Sequence, residues 1–169
     1  FSENTTIRPV FISERFAQFG VGNKKFFDLN DANSYADSQN DKTIVLLKGG
    51  MLQAKDYTIS AGVTLLVPYS KSTTIHTTSP NDVDNADSNR TAFRTLTVPA
   101  GARILVNGAI NVDGQVTKNM SLPTGPYGLV TLESNAYIEL NNGASLYCWG
   151  YVNGDGMVVA HNGAKVYEC

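Results

Sequence analysis

Thr58-Ile59-Ser60-Ala61-Gly62-Val63-Thr64-Leu65-Leu66-Val67 recurs twice without gaps, as Thr97 to Val106 (TVPAGARILV) and as Thr131 to Leu140 (TLESNAYIEL). Alternate residues within each copy are apolar or small. Ile59, Ala61, Val63, Leu65 and Val67 share one parity, as do Val98, Ala100, Ala102, Ile104 and Val106, and then Leu132, Ser134, Ala136, Ile138 and Leu140. In an extended chain such residues line one face. Small residues in the middle of each copy and large aliphatics at its ends suit a narrow shared interior. Gly62, Gly101 and Asn135 occupy one position of the template, where a bend with positive φ is expected.

Asn-Gly-Ala also occurs three times, at Asn107, Asn142 and Asn162, and reads as a sharp corner with its asparagines stacked in a ladder. Self-similarity on this scale marks a repeat architecture. Short strands joined by corners and stacked turn on turn predict an all-β parallel β-helix, a solenoid. The alternative is a two-sheet β-sandwich, which does not need one strand sequence repeated in register. Gly143-Ala144-Ser145-Leu146-Tyr147 and Gly163-Ala164-Lys165-Val166-Tyr167 give a coil of 20 residues. On that scale the intervals from Thr58 to Thr97 and from Thr97 to Thr131 read as about two coils each, five or six in all.

Working outward, residues 1–27 read as an arm rich in phenylalanine, and residues 28–169 as the β-helix domain. Asp28 or Asn30 is placed to N-cap a short helix with an apolar stripe of Leu29, Ala32, Tyr35 and Ala36. Two segments, 70–93 and 113–128, are rich in turn formers and interrupt the coils, as loops on one flank of a solenoid do.

The 169 residues make one domain by length. A net charge of −2 supplies no electrostatic footprint for nucleic acid. No apolar run approaches the ~20 residues of a membrane span. Cys148 and Cys169 lie about one coil apart. The 20-residue register opposes Cys148 to Glu168 and Cys169 to Trp149, so the two are expected to face opposite ways and stay unbridged.

The short helix, the strand Thr43-Ile44-Val45-Leu46, the turn Gly49-Gly50 and the strand Tyr57-Thr58-Ile59 with Gly62-Val63-Thr64-Leu65 resemble the start of right-handed parallel β-helix proteins of the pectin-lyase-like superfamily. Asp56 to Tyr69, Pro123 to Gly128 and Leu146 to Tyr151 are similar to cell-surface β-solenoid proteins of Gram-positive gut bacteria. The resemblance implies a helix that caps the first coil, and an extracellular, bacterial cell-surface location. That superfamily mixes enzymes, adhesins and structural proteins, so fold alone assigns no activity. The hydrolases and lyases that it resembles use neighbouring aspartates, or Ca²⁺ ligands with an Arg or Lys base. The chain has no Asp-Asp pair, and His76 and His161 have no carboxylate at a matching coil position in the expected register. The expectation is therefore a non-catalytic structural or adhesive domain without a cofactor.

Three candidate sites stand beside that reading. Asp82, Asp84 and Asp87 offer oxygen ligands that Ca²⁺ would accept, although a solvated acidic loop is the favoured reading. Tyr147, Trp149 and Tyr151 alternate on one expected strand. Tyr167 stacks one coil beyond Tyr147 and Tyr137 extends the row, either as a sugar-binding surface or as a packed aromatic patch. Phe11, Phe16 and Phe19 of the arm, with Val166 and Tyr167, form an assembly interface if subunits stack head to tail into a filament. The expected partners are thus another copy, the rest of a larger surface protein, or glycans.

Overall fold

The computed structural model describes residues 15–68, 95–113 and 128–167. Within them the chain is mostly β. A first hairpin comprises β1 (Gln18–Val21) and β2 (Lys24–Phe26), and helix α1 (Leu29–Asp37) follows it. Then come β3 (Thr43–Lys48), β4 (Gly50–Met51), β5 (Asp56–Ile59) and β6 (Thr64–Val67). After residue 94 come β7 (Thr95–Val98), β8 (Arg103–Val106) and β9 (Ala109–Val112). The last six are β10 (Leu129–Leu132), β11 (Tyr137–Leu140), β12 (Ser145–Cys148), β13 (Tyr151–Gly154), β14 (Met157–Ala160) and β15 (Lys165–Tyr167).

From β3 onward each strand pairs with the strand three further along the chain. One sheet has the order β15-β12-β9-β6-β3-β1-β2, a second β13-β10-β7-β4 and a third β14-β11-β8-β5. The pairings among β3 to β15 are parallel, against the antiparallel pairing of a sandwich. Antiparallel pairs occur where β1 joins β2 and β3.

Side-chain alternation turns this pairing into a core. Tyr57, Ile104 and Ile138 stack in register, as do Ile59, Val106 and Leu140, and Leu65, Ile110 and Leu146, all buried. Each fully buried aliphatic contributes about 1.5–3 kcal/mol. Of the two middle positions of the template, the later one is buried, as Val63, Ala102 and Ala136. The earlier one is not: Ala61, Ala100 and Ser134 are exposed, because each lies in the turn between two strands, where strict alternation lapses. Gly62, Gly101 and Asn135 have the expected positive φ (80°, 79° and 62°).

The expected coil count is corrected. The second and third copies of the template stack directly, Thr97 on Thr131 and Ile104 on Ile138. The interval between them is therefore one passage through the three sheets, lengthened by residues 114–127, and not two passages. The first copy sits one strand out of step, its Ile59 beside Val106 and its Thr64 beside Ala109. What the three copies share is the strand–corner–strand unit, which recurs at more than one corner. The 20-residue step between β12 and β15 is present.

The expected arm is also corrected in its described part. Phe19 is fully buried in the core of its own chain, and β1 pairs with β3. The Phe16 backbone bridges to Met51, and its side chain is partly buried. The Phe19 ring is thus not available to a neighbouring subunit. Phe11 lies outside the described residues.

The same segment closes one end of the stack. β1 occupies the outer edge of β3, and the backbone of Arg15 and Ala17 bonds Met51 on β4. Among the described residues, the outer edge of β5 meets no strand. There α1 presents Asn30, whose side chain accepts from the Thr58 N–H and donates to the Asp56 carbonyl, both at 3.0 Å. Asn33, one turn on, accepts from the Ser60 N–H at 2.8 Å. Asp28 caps the helix through the N–H groups of Asn30 and Asp31. Partial burial pushes the Asp28 carboxyl up, but the Lys55 ammonium and those two N–H groups outweigh it and hold it below the usual range.

Candidate functional site

Charge-bearing side chains converge on the outward face of the sheet β14-β11-β8-β5. The core-facing residues of β5, β8 and β11 are Tyr57, Ile59, Ile104, Val106, Ile138 and Leu140, so the intervening positions face out. The Arg103 guanidinium reaches Asp56 at 2.8 Å on one side and Glu139 at 3.3 Å on the other. The other Glu139 oxygen lies 2.7 Å from His161 Nε2. Asp56, Arg103, Glu139 and His161 thus form a charged lane along the stacking direction. It ties together β5, β8, β11 and the residue that follows β14. The His161 contact, then Arg103, hold the Glu139 carboxyl below the usual range, and Asp56 with Glu139 raises the Arg103 guanidinium.

Chemically, the lane orients an imidazole against a carboxylate. It is also self-satisfied, since Arg103 spends its fork on two carboxylates that would otherwise repel. The expectation that His161 has no carboxylate partner is corrected. The 20-residue step sets Glu139 directly beside Val159 and brings His161 beside Asn141, so the contact is a diagonal one that a comparison of directly opposed positions passes over. That diagonal is the available signal.

The aromatic row is redistributed. β12 ends at Cys148 and β13 starts at Tyr151, so Tyr147 and Tyr151 belong to two different sheets, with Trp149 in the corner between them. Tyr137 belongs to the third. Tyr147 and Tyr167 do stack, with centroids 4.7 Å apart and planes 1° from parallel. Stacking covers one face of each ring, and Tyr167 stays exposed. Trp149 and Tyr151 are about half exposed.

Residues 69–94 and 114–127, which lie outside the described residues, both leave after a strand of the seven-stranded sheet and return at a strand of the sheet β13-β10-β7-β4. Trp149 occupies the corresponding corner one passage later, where its backbone N–H donates to the Val112 carbonyl. Asp82, Asp84 and Asp87 are outside the described residues. Among those described, no group of three His, Cys, Asp or Glu side chains is placed to hold a metal ion, and no helix is long and apolar enough to cross a membrane. Cys148 is buried at the end of β12, and Cys169 is outside the described residues.

The two ends of the stack differ. At the first, β1, residues 15–17 and α1 take up the edges of β3, β4 and β5. At the other, β13, β14 and β15 are the edge strands of their sheets. Val158 and Val166, in register with the buried Ile138 and Leu146, are 39 % and 49 % exposed. Head-to-tail stacking requires open edges at both ends. The asparagines and the hairpin remove them from one. No protein-family model, curated protein or solved structure matches the chain.

Proposed function

We propose that the chain is a right-handed parallel β-helix that serves as a non-catalytic structural or adhesive element at a bacterial cell surface. The observation that carries the reading is the pairing of each strand from β3 to β12 with the strand three further on, in three separate sheets. A chain that winds through three sheets in constant order traces a coil, and right-handed crossovers are the rule between parallel strands. Such a stack buries a continuous apolar column and presents stiff outer faces, and its stability is built layer by layer from neighbour contacts. The resemblance to pectin-lyase-like and surface β-solenoid proteins supports the location. Glycans remain candidate partners at Trp149 and Tyr151, which face solvent beside the corner from which both insertions leave.

The charged lane favours a second reading, a polysaccharide-cleaving module with His161 as base and Glu139 orienting it. We favour the structural role because all four lane residues are satisfied by one another. The test is incubation of the chain with neutral and uronate-containing polysaccharides, with and without Ca²⁺. No new reducing ends or unsaturated uronates are expected. Product formation that disappears in His161→Ala overturns the non-catalytic reading.

A further inference from the structure

We infer that the corner between β12 and β13, with the outward face of β13, binds a neutral, unbranched oligosaccharide through Trp149, Tyr151 and Asn153. The inference deepens the adhesive reading above and rests on it. It starts from alternation in the sheet β13-β10-β7-β4. Leu96, Val98, Val130 and Leu132 are buried and Val152 packs against the same core, so Tyr151 and Asn153 face outward. A neighbouring strand lies in the plane of its sheet, so the outward face of β13 is open whatever stands beside that strand.

Trp149 stands two positions before Tyr151, and both rings are about half exposed. The corner is held from behind. The Val112 carbonyl accepts from the N–H groups of both Trp149 and Gly150 at 2.9 Å. A Cβ on Gly150 would meet the Gly128 carbonyl oxygen at 2.3 Å, so glycine lets the corner lie this close. The indole is thus displayed on fixed backbone, and a group already in place loses little freedom on binding.

Asn153 supplies the polar half of the site. The Thr131 hydroxyl donates to its Oδ1 at 3.0 Å, and its Nδ2 has no partner among the described residues. The amide is therefore oriented by one contact and keeps two donors for an acceptor outside the protein. Alternate residues of a strand lie about 7 Å apart, so a pyranose stacked on Tyr151 brings hydroxyls to that amide. The C–H face of such a ring is apolar and its rim is hydroxylated, which matches an aromatic surface beside fixed donors. Charge selects among sugars. The outward positions Thr95, Thr97, Leu129, Thr131, Tyr151 and Asn153 carry none, and the residues that follow β10 and β13 are the acidic Glu133 and Asp155. A uronate chain would meet like charge there.

Trp149 is the only tryptophan in the chain, so its fluorescence reports the contact directly. The full chain is titrated with cellohexaose, mannohexaose and xylohexaose, and with hexagalacturonate as the acidic counterpart. Far-UV circular dichroism and urea unfolding are run on the same samples. At least one neutral hexasaccharide is expected to shift the emission saturably, and hexagalacturonate to bind at least about 10-fold more weakly. Isothermal titration calorimetry then reads the variants. Trp149→Ala is expected to weaken binding at least about 10-fold. Asn153→Ala, which removes the two donors, is expected to weaken it about 3–10-fold, and both variants to unfold as cooperatively as the parent. No saturable shift with any neutral hexasaccharide in a folded chain overturns the site and leaves the β-helix standing. Tighter binding of hexagalacturonate, or undiminished binding by either variant, does the same. Loss of the β spectrum or of cooperative unfolding in the parent chain overturns the β-helix reading as well.

Discussion

Asn33 sits on α1 with its side-chain oxygen 2.8 Å from the Ser60 N–H and its side-chain nitrogen 2.9 Å from the Ser60 hydroxyl. One amide thus does for the edge of β5 what a further strand would do, and it is only 7 % exposed. Asn33→Ala strands the Ser60 N–H against the helix. A buried donor left unmet costs about 1–3 kcal/mol. Urea unfolding is expected to show a loss of that size with an unchanged m-value, and no measurable loss would mean that water replaces the amide. Asn33→Asp, which keeps the acceptor and loses the donor to Ser60, is expected to fall between the two.

The helix cap at Asp28, the strands and the positive-φ bends were legible because each depends on residues within a few positions. Gly62, Gly101 and Asn135 mark their turns whatever lies beyond them. Register between passages was not legible, since residues 69–94 and 114–127 change the interval from one layer to the next. The Glu139–His161 contact lies within a step that carries no insertion, and it escapes because the two residues are diagonal, Glu139 lying directly beside Val159. Phe19 misled differently: a run of phenylalanines before the first repeat looks like an arm, but β1 puts that ring into the core. The Asn30 and Asn33 contacts to β5 leave no periodic trace, being two polar residues on a helix whose apolar stripe draws the attention.

Asn-Gly-Ala, repeated three times, uses its glycine for two different reasons. Gly143 has a φ of 83° and open space where a Cβ would point. Gly108 has no such φ, but a Cβ there would run into the carbonyl oxygens of Ser60 and Val63. The corner there is shorter, so Asn107 pairs with Asn141, at 2.7 Å, rather than with Asn142. Gly143→Asn is therefore expected to cost under about 1 kcal/mol, because asparagine tolerates that conformation, as Asn135 does in this chain. Gly108→Ala, a smaller residue, is expected to cost more, since backbone must move to admit it. Thermal unfolding of the two variants decides, and equal losses would remove the distinction.

Acid is expected to loosen the charged lane in one direction. The folded-state pKa of Glu139 is depressed by His161 and Arg103. Its contribution is therefore complete above the unfolded carboxylate value, about 4.3, and is lost as pH falls through the lower folded value. Glu139→Gln is expected to be less stable than the parent at neutral pH, with the difference shrinking to nothing in strong acid. Exposed ion pairs contribute little and are screened by salt, so the comparison belongs at low ionic strength. A difference that persists below the carboxylate range would assign the loss to packing of the side chain.

Lys24 and Lys25 lie on β2, the outermost strand beyond β1, where a bare ladder would recruit another strand. Lys24 also lies over the Tyr35 ring, 4.3 Å from its centroid, and so shields the hairpin's contact with α1. Lys24→Thr with Lys25→Thr removes both charges and raises β-propensity on an edge. The variant is expected to associate through β2, giving species larger than the parent's that grow with concentration in sedimentation. Lys24→Thr alone, with Lys25 still on the edge, is expected to lose some hairpin stability without that growth. If the double variant sediments like the parent, charge is not what blunts this end. The cause then lies in the twist or shortness of β2, which a lengthened strand would test next.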